Sequence, residues 1–163
     1  MISLKAIEIK TFMEKLFKSD AFDDFYISSV DISTFTEFKI TGTLNKDYYD
    51  TNELETITHQ KLIKWSSIKD IVFTIIKGNK PPSSLKIVFS FSPEKIQKFI
   101  EHHQLSLGNT QINGLFLNLK YCEGQLVCTT GTSLNVFTVD KTVDQLWDNY
   151  IKQFFKKHQL LTE

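Results

Sequence analysis

The chain has 163 residues with 41% hydrophobic and 23% charged side chains, and its nineteen basic residues, all lysine, balance nineteen acidic ones to a formal net charge of zero. That composition excludes a disordered or collagen-like chain and needs no disulfide scaffold, and no apolar run reaches the roughly 18 residues of a membrane span. Lacking arginine, the chain has only point charges on flexible stems, which disfavours sequence-specific reading of DNA.

Met1-Ile2-Ser3-Leu4-Lys5 meets a charge at once where a secretory signal would be apolar, so a cytoplasmic location is expected. Ile2 to Ala6 reads as a short strand, and Ile9, Phe12, Met13, Leu16 and Phe17 trace one helical stripe with Lys10, Glu14, Lys15 and Lys18 opposite. Asp20, Asp23 and Asp24 lack the oxygen spacing and glycine of a calcium loop and read as the helix exit. β-Branched and aromatic residues dominate Phe25 to Thr34, and Phe38, Ile40, Gly42 and Leu44 alternate with polar residues, which predicts a hairpin with one solvated face.

Asn45 to Lys64 shows no clean period and is expected to be irregular, and Trp65-Ser66-Ser67 leads into an apolar run from Ile68 to Ile76. Tyr48, Tyr49 and Trp65 form either an exposed aromatic patch for a partner or a lid on the core. Lys77, Gly78 and Lys80 occupy a loop that can offer charge and backbone N–H groups to an anion, although Asn79, Pro81 and Pro82 rule out a P-loop. The simpler account of that loop is a strand-to-strand connection with solvated lysines.

Leu85, Ile87, Phe89 and Phe91 alternate as a half-buried strand, and Ser92-Pro93-Glu94 has the features of a helix start, with Ile96, Phe99 and Ile100 as its buried edge. His102 and His103 close that helix, where neighbours diverge by about 100 degrees and cannot share a metal. Glu123-Gly124 reads as the two-residue turn of a hairpin between Leu115 to Cys122 and Gln125 to Thr130. In that register Leu119 faces Cys128, Cys122 lies on the opposite face, and the thiols can neither bridge nor hold zinc. Finally, Thr142 with Gln145 suggests a capping box, and Val143, Leu146, Trp147, Tyr150, Ile151, Phe154 and Phe155 form an apolar stripe that must be buried.

Strand, helix and hairpin thus occur once in Ile2 to Leu44 and again in Leu85 to Phe137, an order that suggests a weak βαββ duplication and resembles the repeated units of DNA processivity clamps. Several segments carry a closer resemblance: Ser3-Leu4-Lys5-Ala6, Lys10 to Leu16, Asn45-Lys46-Asp47-Tyr48-Tyr49, Trp65, the Ile76 to Pro82 loop and Trp147-Asp148. Together they resemble a small family of unknown function from low-GC Gram-positive bacteria. The resemblance implies a bacterial cytoplasmic protein and carries over no catalytic residue.

The expected architecture is therefore a single α+β domain over residues 1–163, with antiparallel hairpins packed against three helices. No set of acid, base and nucleophile and no metal spacing can be assembled, so no catalytic residue, metal or cofactor is assigned. The expected function is a non-catalytic binding or protein-interaction module, paired with itself or another protein and not with a membrane. Two alternatives stand beside it. One is a clamp-like protein that follows a nucleic-acid backbone weakly and non-specifically with Lys10, Lys15, Lys18, Lys95 and Lys98. The other is a small-ligand binder or enzyme whose site forms only in three dimensions.

Overall fold

The computed structural model describes residues 1–106 and 111–163. In chain order these form β1 (Ser3–Lys5), α1 (Ile9–Lys18), β2 (Tyr26–Ser33), β3 (Glu37–Thr41), α2 (Thr51–Thr56), α3 (Trp65–Ile76), β4 (Ser84–Ser90), α4 (Pro93–His102), β5 (Ile112–Cys122), β6 (Gln125–Leu134) and α5 (Thr142–Lys157). The strands make one antiparallel sheet in the order β1-β6-β5-β4-β2-β3. The protein is α+β, as its alternating patterns require.

Period two puts Val30 and Ile32, Leu85, Ile87 and Phe89, Leu115, Leu117 and Leu119, and Leu126 and Cys128 on one face, where all are buried. Helices α1, α3, α4 and α5 bury their stripes against that face in one cluster. Trp65 from α3 and Trp147 from α5 are both fully enclosed, and each donates its indole N–H to a backbone carbonyl: Trp65 to Leu16 at 2.9 Å, Trp147 to Phe116 at 2.8 Å. Aromatic contacts carry the packing between layers, with Phe22 stacked on Phe89 and Phe91 edge-on to Trp147 at 4.7 Å. The opposite face of the sheet carries Lys39, Asp31, Lys86, Lys120 and Lys5, and among the described residues no helix packs on it.

The described residues form five α-helices where three were expected. The apolar run after Trp65 is α3, rich in β-branched residues that individually favour strands, but Trp65, Ile68 and Val72 recur at helical spacing and are the ones buried. The segment expected to be irregular holds a 3₁₀ turn at Lys46–Tyr48 and the short α2, which begins with a capping box between Asp50 and Glu53. At α5 the anticipated box is absent: Thr142 lies inside the helix, and the Asp140 carboxylate takes both its N–H at 2.9 Å and its hydroxyl at 2.6 Å. Loop Lys77–Ser83 consequently joins a helix to a strand. His103 is the C-cap of α4, and that departure from the helix brings its ring edge-on to His102 at 4.8 Å, against the divergence expected of helical neighbours.

The β5–β6 turn has two residues, with Glu123 and Gly124 both at positive φ, and Leu119 pairs with Cys128. Both cysteines are free, Cys128 buried and Cys122 half-buried. Strand, helix and hairpin do recur in the order β1-α1-β2-β3 and β4-α4-β5-β6, yet β1 lies at the sheet edge and β4 at its centre, so the echo is one of order and not of position. At Gly42 packing demands a glycine, because a Cβ there would stand 1.6 Å from the Ile27 carbonyl oxygen.

Candidate functional site

Turn 34–36 between β2 and β3, the end of α3 and the loop returning to β4 enclose an open cleft of about 760 Å³. Ser83 pins its far wall to β2, donating both its N–H at 2.9 Å and its hydroxyl at 3.1 Å to the Ser33 carbonyl. The floor is apolar: Phe38, Ile75 and Ile76 each pack one side on the core and leave the other toward the cleft. Phe35 stands over it at 90% exposure, its ring edge-on to Phe38 at 5.8 Å. Such an aromatic costs free energy in water until something covers it.

Lys77 and Lys80 line the rim, both exposed, and neither has a carboxylate within 4.0 Å among the described residues. Thr34 Oγ1 is buried without a hydrogen-bond partner, a desolvated group that a ligand's polar atom can satisfy. Gly78, placed with these lysines by the sequence, does not line the cleft; its φ is ordinary and a Cβ there would meet open space. Lys77 caps the C-terminus of α3, the negative end of the helix dipole, so any attraction for an anion comes from the lysine side chains and not from the backbone.

Trp65 lies in the core between Phe17 and Phe89, whereas Tyr48 is 83% exposed and touches the half-buried Tyr49 edge-on at 5.6 Å. The three residues therefore do not form one patch. Of the helix lysines, Lys95 is half-buried over the Phe25 and Phe91 rings and 4.0 Å from Asp24; burial holds its ammonium below the usual lysine range, and Asp24 pulls it partway back. Lys69 bonds Asp23 at 2.7 Å, which turns part of the acidic helix exit into a tie between α3 and the end of α1.

Asp144 and Asp148, one turn apart on α5, accept from the hydroxyls of Thr132 and Thr130, fixing the helix to β6. A smaller cleft of about 370 Å³ brings His59, Glu55 and Glu94 near Tyr26. Among the described residues no three His, Cys, Asp or Glu side chains are grouped to hold a metal. Burial pushes the Cys128 thiol up to about 12, so it is a packed side chain and not a nucleophile at neutral pH.

Sequence reasoning assigned Lys77 and Lys80 to a site but missed Thr34, Phe35, Ile75 and Ile76. The available signal was Phe35 in Thr34-Phe35-Thr36, an aromatic at the one place in a hairpin where no sheet face can bury it.

These features define an α+β protein with a helix-covered antiparallel sheet and an apolar, lysine-rimmed cleft at one corner. The chain belongs to DUF5721, a family of unknown function, whose model matches residues 15–163. No curated protein and no solved structure matches it. No helix among the described residues is long and apolar enough to cross a membrane.

Proposed function

We propose that this single-domain protein is a non-catalytic interaction module of the bacterial cytoplasm whose cleft takes an extended peptide segment combining apolar and acidic side chains. Phe35 carries the reading: it is 90% exposed beside the apolar floor of Phe38, Ile75 and Ile76, with Lys77 and Lys80 at the rim. Apolar side chains of the segment fill the floor and its carboxylates meet the lysines, which set orientation and association rate more than affinity. Selection from a displayed random-peptide library tests this. Enriched peptides carry an aromatic or aliphatic anchor next to Asp or Glu, and lose binding to Phe35→Ala. Enrichment of peptides without acidic residues, or binding untouched by Phe35→Ala, refutes it.

A second reading, contact with a nucleic-acid backbone, is favoured by the uncovered sheet face and not by the helices. Strand register aligns Lys39, Asp31, Lys86, Lys120, Val127 and Lys5 in one row across all six strands. Point charges in a row suit a phosphate chain, and four such contacts give a salt slope of about −3 for a single strand. Titration of a labelled oligonucleotide at low salt, with Lys86→Glu/Lys120→Glu as control, tests it. Absence of binding, or binding unchanged in the control, dismisses it.

A further inference from the structure

The most exposed apolar stretch outside the cleft follows β6. Val136, Phe137 and Val139 are 44%, 97% and 84% exposed, with no regular structure from Phe137 to Lys141. Asp140 is exposed at the end of this stretch, and two hydrogen bonds from Thr142 hold its carboxyl below the usual range, so the segment carries a negative charge at neutral pH. On α5, Asp144 pairs with Lys141 at 3.5 Å and Asp148 with the N-terminal ammonium at 3.2 Å, so Asp140 is the carboxylate of this corner with no ammonium within 4.0 Å among the described residues. Val136-Phe137-Thr138-Val139-Asp140 is thus an extended, apolar and acidic segment, the chemistry the lysine-rimmed cleft is built to receive.

The two features cannot meet within one molecule. The cleft lies at the Ser33, Ser84 and Cys122 end of the sheet, and the segment leaves β6 at the opposite end, beyond the Leu134–Ile112 pair. Ten residues along β5 and three strand spacings across separate them, on the order of 35 Å.

We infer that the occupant of the cleft is the Val136–Asp140 segment of a second copy of this chain, giving a head-to-tail assembly. The inference rests on the cleft being a peptide site. Phe137 fills the floor beside Phe35, Phe38 and Ile76, and Asp140 reaches Lys77 and Lys80. Because donor and acceptor surfaces are different patches, each copy keeps one free donor and one free acceptor, and the contact extends into a ring or filament and does not stop at a two-fold dimer. Charge also opposes one alternative, because cleft against cleft brings Lys77 and Lys80 of the two copies together.

Sedimentation velocity and light scattering across the micromolar range supply the test. Wild type grows with concentration beyond the 18.9 kDa monomer in steps of one chain. Phe137→Ser alters only a 97% exposed side chain, and Lys77→Glu/Lys80→Glu only exposed ones, so both proteins fold; each alone is monomeric. Mixed, they pair through the intact cleft of the first and the intact segment of the second and stop at a 1:1 dimer. A wild type that stays monomeric, an assembly that survives either variant, or a mixture that does not pair overturns the inference. A synthetic peptide of residues 135–141 separates this from failure of the underlying reading. It binds the wild-type cleft and weakens about tenfold with Lys77→Glu/Lys80→Glu. If that peptide fails while library-selected peptides still bind at Phe35, the cleft is a peptide site for another protein and the head-to-tail contact is wrong.

Discussion

Trp147→Ala tests whether α5 is the clasp of the fold. The side chain is fully buried, stacked on Tyr150 at 5.4 Å with an interplanar angle of 10°, edge-on to Phe91 at 4.7 Å, and bonded through its indole N–H to the Phe116 carbonyl. Truncating a buried aromatic to alanine costs about 3 to 5 kcal/mol in lost transfer and cavity, and the orphaned carbonyl adds about 1 kcal/mol. The expected loss is about 5 kcal/mol, a third or more of the net stability of an ordinary domain. In urea, with a slope near 2 kcal/mol per M, the midpoint falls by about 2.5 M. Trp147→Phe keeps most of the burial and loses only the hydrogen bond, so its midpoint falls by less than half as much. A Trp147→Ala midpoint within about 0.5 M of wild type would refute the reasoning, because no relaxation of a well-packed site recovers that much buried surface.

The remaining predictions probe other layers. In the native protein a thiol reagent labels Cys122 and spares Cys128 until unfolding, because Cys128 is 1% exposed and held protonated by burial; equal labelling rates would contradict the β5–β6 register. Gly42→Ala forces a Cβ against the Ile27 carbonyl and lowers stability by about 3 kcal/mol in the same urea assay, and a neutral result would mean the Ser28 bulge is misplaced. His103 and His158 are both held below the free-imidazole value of 6.5, first by burial and then by His102 and Lys157 respectively. Folded values below unfolded ones mean that their contribution is full above pH 6.5 and is lost as pH falls through the folded values. Melting temperature therefore declines on acidification below pH 6.5, and NMR titration of the two rings reports midpoints under 6.5.

Local signals read correctly wherever one residue type had one physical job. Ser92-Pro93 opens α4 because Ser92 accepts from the Lys95 N–H and Pro93 has no N–H to waste. Glu123-Gly124 fixed the last hairpin because only a two-residue turn with positive φ matches the twist of its strands. Where two signals competed, reading failed. In α3 the β-branched residues spoke for a strand while Trp65, Ile68 and Val72 spoke for a helix, and burial of that stripe decided the outcome. At Thr142 the helix begins one residue earlier than the motif requires: Lys141 is the N-cap, and the Gln145 N–H that a capping hydroxyl would accept from is bonded to the Lys141 carbonyl at 3.0 Å. The cleft was illegible for a different reason: it joins residues 34–38 to residues 74–83, and nothing local to either segment announces the other.

The placement of exposed apolar groups gives the functional reading its force, because the sheet's other liabilities are covered. A bare sheet edge is a template for uncontrolled pairing. The outer side of β1 is closed by the C-terminal residues, with Lys5 and Glu163 exchanging backbone hydrogen bonds at 2.8 and 2.9 Å and Ile7 donating to Leu161. Beyond β3 the chain pairs with residues 61–63, through Ile63 to Gly42 and Leu44 to Lys61, and β3 itself presents Glu37 and Lys39. The uncovered face carries lysines, serines and threonines around the half-buried Val88, Phe116 and Val127. In a fold that guards its edges in this way, the two most exposed phenylalanines, Phe35 and Phe137, stand at opposite corners, one beside Lys77 and Lys80 and the other beside Asp140, Lys141 and Asp144. Core packing requires neither. Their apolar surface costs free energy in water, and burying either ring against another apolar surface offsets that cost.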